Sequence, residues 1–121
     1  MWSFNTRTGE LRRDGVLQGC GYSGHGEGKL NPELDWEPSV GPIPRGLWRA
    51  VRLIVPMTPH GPYVLVLAPA EGTETHGRDG FLCHGDSVEH PGEASLGCII
   101  LSRALRELIW TSGDHDITVE A

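Results

Sequence analysis

The chain has 121 residues, with 17 Gly, 9 Pro and a formal net charge of −6. That length suits one domain, residues 1–121, able to bury a core without disulfides or metal. No Lys/Arg-rich run occurs and no apolar stretch nears the roughly 20 residues of a membrane span, so neither nucleic acid nor membrane insertion is expected. Thr8-Gly9 and Asp14-Gly15 are turn signals that separate Trp2 to Thr6, Glu10 to Arg13 and Val16 to Cys20, which reads as a β-meander. From Gly21 to Gly46 the chain is rich in Gly and Pro and has little apolar periodicity, the mark of a long loop that is either functional or disordered. Leu47 to Val55 alternates, with Trp48, Ala50 and Ile54 on one face and Leu47, Val51, Leu53 and Val55 on the other. Tyr63 to Ala68 reads as a strand buried on both faces, and Gly80 to His84 and Cys98 to Leu101 as two shorter ones. Ser102 can cap a helix whose apolar face holds Leu101, Leu105, Leu108 and Ile109, ended by Thr111-Ser112-Gly113. Ile117 to Glu120 is a last strand. The sum is a mostly-β domain with one short helix near residues 102–112.

The N-terminal residues lack the apolar h-region of a general signal peptide, so none is expected. Three cysteines, Cys20, Cys83 and Cys98, are an odd number and leave at least one free thiol or an intermolecular pair. Cys20 and Cys83 read as packing residues, since alternation puts Cys83 opposite His84 and toward the core. Cys98 differs. It follows Ser95-Leu96-Gly97 at the start of one strand, while His84 ends another. A thiol becomes a strong nucleophile as thiolate, and a neighbouring imidazole can take its proton. Gly97 clears room for a substrate carbonyl and leaves backbone N–H groups for an oxyanion. Ser95 can hydrogen-bond the imidazole or the loop backbone.

Around this pair, His25, Tyr22 and Ser23 sit in the long loop and can line a cleft. Asp86 can orient His84 or hold its turn. His90 reads as exposed loop, Trp36 as packing that loop down, and Trp2, Trp48 and Trp110 as core or edge packing. Gly41-Pro42-Ile43-Pro44 reads as a rigid lead into the next strand. His84, Asp86, His90 and Cys98 could also be read as metal ligands, but their spacing fits no zinc pattern. No metal or other cofactor is expected.

His-Gly followed by Ser-x-Gly-Cys and apolar residues resembles the signature of the YkuD-like L,D-transpeptidases. The resemblance is closer to the L,D-transpeptidase effector domain of type VI secretion, and it spans nearly the whole chain. It rests on Tyr22-Ser23-Gly24-His25-Gly26-Glu27-Gly28-Lys29 with Asn31-Pro32, and on Val40-Gly41-Pro42-Ile43-Pro44-Arg45-Gly46. Gly61-Pro62-Tyr63, His84-Gly85-Asp86 and Pro91-Gly92-Glu93-Ala94-Ser95-Leu96-Gly97-Cys98-Ile99-Ile100-Leu101 complete the order.

The resemblance implies a β-sandwich or partial barrel with the cysteine at a cleft. It implies cleavage or exchange at the L,D bond before D-alanine in peptidoglycan stem peptides. Cys98, His84, Ser95 and Gly97 would be catalytic, and His25, Tyr22, Ser23 and Asp86 would bind substrate. It further implies an antibacterial effector, cytoplasmic in its producer, delivered to the periplasm of a target cell and met there by an immunity protein. A monomer is expected. Many YkuD-like enzymes carry His and Arg where this chain has Leu96 and Ile99, which points away from wall cross-linking. A catalytically silent peptidoglycan- or partner-binding module is the alternative.

Overall fold

Strand alternation organises the N-terminal meander. In β1 (Trp2–Asn5) Trp2 and Phe4 are buried and their neighbours half-buried. β1 pairs antiparallel with β2 (Glu10–Arg13), which pairs with β3 (Val16–Cys20). Each tight turn carries a glycine at positive φ, Gly9 at 77° and Gly15 at 82°, where a side chain would be strained. The computed structural model describes residues 1–121.

Seven further elements complete the chain. They are β4 (Tyr22–Ser23), β5 (Gly46–Ile54), β6 (Val64–Pro69), β7 (Leu82–His84), β8 (Ile99–Ile100), α1 (Arg103–Thr111) and β9 (Asp116–Glu120). All nine strands form one sheet in the order β3-β2-β1-β9-β5-β6-β7-β8-β4. Its two edge strands, β3 and β4, are consecutive in the chain, separated by Gly21 alone. The architecture is therefore a nearly closed, barrel-like sheet with one short helix. Gly21 makes the corner possible, since a Cβ there would run into the carbonyl oxygen of Ile100.

The last strand is not at an edge. β9 lies between β1, to which it runs parallel, and β5, to which it runs antiparallel. Its Ile117 and Val119 join Trp2, Phe4, Trp48 and Leu65 in one core. The Trp48 indole donates to the carbonyl of Pro44 at 2.9 Å, which satisfies its polar edge inside that core.

Several expectations are corrected. The alternation expected along Leu47 to Val55 breaks at a register shift between Ala50 and Arg52, so Leu53 turns toward the core with Trp48 and Ala50. In α1, Ser102 caps as expected, its Oγ accepting from Leu105 N–H. Leu108, however, is exposed, and the buried stripe is Leu105, Arg106 and Ile109. The Arg106 guanidinium is satisfied by the carbonyls of Tyr63, Leu101 and Pro62. Residues 21–46 are an ordered wall with β4 and two single-turn 3₁₀ segments, Gly26–Gly28 and Pro32–Leu34. Within that wall Trp36 is exposed and only tethers its indole N–H to Glu33, so it does not pack the loop down. No helix is long and apolar enough to cross a membrane.

Candidate active site

The parallel pairing of β7 and β8 aligns Cys83 with Ile99 and His84 with Ile100. Cys83 and Ile99 face the core and are fully buried, as alternation requires. Cys98, one residue before β8, therefore shares the opposite face with His84. The two are offset by two residues, about 6.6 Å of strand rise. Cys98 is half-buried in a cleft of about 390 Å³ together with Arg78, Phe81, Leu82 and His60. His84 is buried at the wall of an adjoining cleft of about 530 Å³.

The thiol and the imidazole do not hydrogen-bond to one another. Leu82 N–H donates to Cys98 Sγ at 3.4 Å, and His84 Nδ1 meets the carbonyl oxygen of Gly85 at 2.8 Å. A carbonyl can only accept, so the ring carries its proton on Nδ1 and leaves Nε2 as a free base. Burial pushes the His84 pKa down, with the Gly85 bond partly offsetting and His60 and Arg106 adding to the effect. Burial pushes the Cys98 thiol up, partly offset by Leu82 N–H and by Arg78. Both groups thus rest neutral near pH 7.

Ser95 is the hub of the turn that carries Cys98. It is fully buried, and its Oγ donates to the Cys98 carbonyl at 2.6 Å while accepting from Gly97 N–H and Gly24 N–H, each at 3.0 Å. Of the two partners expected for Ser95, the loop backbone is the one it holds. Gly97 sits at φ 139°, and a Cβ there would lie 2.5 Å from Arg78 Nη2. Because Gly97 N–H is committed to Ser95, it is not a free oxyanion donor. Cys98 N–H has no partner in the chain and can serve.

The expected substrate-binding residues separate. Ser23 is wholly buried; its Oγ donates to the Gly97 carbonyl and accepts from Ile43 N–H, so it braces the turn and does not reach the cleft. Tyr22 is likewise mostly buried, its hydroxyl donating to Asp86 Oδ1 at 2.6 Å and accepting from Ala94 N–H. Burial and Asp86 raise the Tyr22 pKa to about 12, so the phenol stays protonated. Asp86 is an exposed turn anchor that also accepts from Ser87 and Gly92 N–H; Gly85, not Asp86, orients the His84 ring. His25 is exposed and lines the His84 cleft, as does His90. His84, Asp86, His90 and Cys98 do not converge as a metal-holding group.

Two residues that sequence reasoning passed over complete the site. Arg78 is buried and donates to the carbonyls of Asp35, Pro42, Gly41 and Leu96 at 2.6, 2.8, 2.9 and 3.4 Å. It ties the 35–42 wall to the turn before Cys98. His60 lies on the exposed loop between β5 and β6, its ring centroid 4.7 Å from that of His84. Compared with known proteins, the chain matches no family model and no curated protein.

Proposed function

We propose that this chain is a cysteine-dependent acyl-transfer enzyme acting on peptidoglycan stem peptides at the L,D bond before D-alanine. The observation that carries the reading is the shared face of Cys98 and His84 on adjacent parallel strands beside an open cleft, with Nε2 of His84 unprotonated. The substrate itself comes from the motif resemblance.

In the substrate complex, His84 Nε2 takes the Cys98 thiol proton. The thiolate attacks the carbonyl carbon of the L,D bond, and Cys98 N–H stabilises the oxyanion. The C–N bond breaks, and the leaving amine of D-alanine takes the proton from His84. This leaves a thioester on Cys98. Water or the amine of another D-amino acid then attacks, His84 removes its proton, and the C–S bond breaks to regenerate the thiol. The absence of a hydrogen bond between thiol and imidazole in the free protein fits a contact that tightens only with substrate bound.

Leu96 and Ile99, in place of the His and Arg common in YkuD-like enzymes, favour trimming or exchange over cross-linking. Such chemistry removes donor stems and suits an antibacterial effector, neutralised by an immunity partner that covers the clefts. Incubation with disaccharide-tetrapeptide, with and without an added D-amino acid, tests the reading by product mass. Loss of D-alanine marks hydrolysis and a changed terminal residue marks exchange. Unaltered muropeptide at high enzyme contradicts the proposal.

A further inference from the structure

Cleavage before a single terminal D-residue requires something to recognise that residue's free carboxylate. The carboxylate lies one residue past the scissile bond, within about 3.6 Å of extended chain, so its partner must border the Cys98 cleft. Besides the Ser39 hydroxyl and the Cys98 thiol, two side chains with nitrogen donors line that cleft, Arg78 and His60. The Arg78 guanidinium nitrogens Nη1 and Nη2 are both committed to backbone carbonyls. Lys29 lies over the Tyr22 ring, and Arg106 is held by three carbonyls. His60 is the residue whose ring donors stay open.

His60 also has the right position. It lines both the Cys98 cleft and the His84 cleft, where a peptide lying across the pair must pass. His25 and His90 line the His84 cleft and not the Cys98 cleft. His90 in addition faces Glu93 at 3.8 Å. Asp79 borders the Cys98 cleft near Arg78 and would repel a carboxylate there, which leaves the His60 side. The loop is fixed without help from the ring: Thr58 and Gly61 exchange backbone hydrogen bonds, and His60 N–H donates to Thr58 Oγ1.

We infer that His60 is the specificity residue of this site, its imidazole N–H binding the terminal carboxylate of the leaving D-residue. The inference rests on the acyl-transfer reading above and adds to it the feature that makes the enzyme act at chain ends.

The test uses the full chain carrying Cys98→Ala, which binds without turning over. Affinity is measured calorimetrically for a stem tetrapeptide ending in D-alanine and for its C-terminal amide. With His60 present, the free acid should bind about ten- to a hundredfold tighter, the worth of one charge-assisted hydrogen bond. His60→Phe keeps a ring against His84 but has no donor, and should bring the two affinities together. His60→Arg should restore the preference for the acid. An acid preference that survives His60→Phe overturns the assignment, as does equal binding of acid and amide with His60 in place. If neither peptide binds, the stem-peptide reading itself falls, and the His60 role with it.

Discussion

Ser95 holds the carbonyl of Cys98 at 2.6 Å while its Oγ receives the N–H groups of Gly97 and Gly24. One hydroxyl thereby fixes the backbone on both sides of Cys98 and joins it to the 21–46 wall. Ser95→Ala leaves two buried N–H groups and one carbonyl without this partner. The variant should lose about 2–4 kcal/mol of stability at roughly 1 kcal/mol or more per orphaned group, read by denaturant titration. Its kcat should fall, because the turn that sets the Cys98 backbone loses its hub.

Gly97→Ala should be more damaging to chemistry than its size suggests. A side chain at φ 139° costs about 1–3 kcal/mol, and its Cβ would press on Arg78 Nη2. Displacing Arg78 loosens its bond to the Leu96 carbonyl, so thiol-directed alkylation of Cys98 should change in rate while that of exposed Cys20 does not. Mass-spectrometric alkylation time courses read both thiols in one sample.

Arg78→Lys keeps the charge but cannot reach four carbonyls from one planar fork. It should destabilise the chain by on the order of 2–4 kcal/mol. The 35–42 wall should then exchange its amide hydrogens faster than the β1–β9 pairing does. Unchanged exchange in the wall would mean that Arg78 is not its anchor.

The acid and alkaline limits of stability follow from buried groups. His84 has a folded pKa below its unfolded value near 6.5, so the unfolded chain takes up more protons as pH falls through that value. Its contribution is complete above about pH 6.5 and is lost as pH drops toward the folded value. Cys83 has the opposite sign. Burial raises it to about 12, so its contribution is lost as pH rises from the ordinary thiol value toward 12. Melting temperature should therefore decline on both flanks. His84→Gln should flatten the acid flank and Cys83→Ala the alkaline one. The acid limb of kcat/KM should likewise lie below the ordinary imidazole value.

The meander was legible because Trp2, Phe4 and Leu11 alternate with polar residues and the turns carry Gly9 and Gly15. Cys83 and His84 separated correctly onto opposite faces by the same alternation. Leu53 did not, because a one-residue register shift inverts the pattern without leaving a mark in the sequence. Ser23 looked like a cleft residue and proved to be a brace, since only the pairing of β4 with β8 reveals what covers it. Arg78 and Arg106 drew no reading from the sequence, because a buried cation satisfied by carbonyls has no local sequence pattern. His60 could have been reached: the antiparallel pairing of Leu65 with Cys83 brings the loop before β6 beside His84. That pairing, however, is a long-range fact.

The most direct measurement is release of D-alanine from disaccharide-tetrapeptide by the native chain and by Cys98→Ala, at matched folding by circular dichroism. The account predicts release by the native protein and none by the variant, with a thioester adduct on Cys98 trapped in the native protein at early times. Release by Cys98→Ala at the native rate would contradict it.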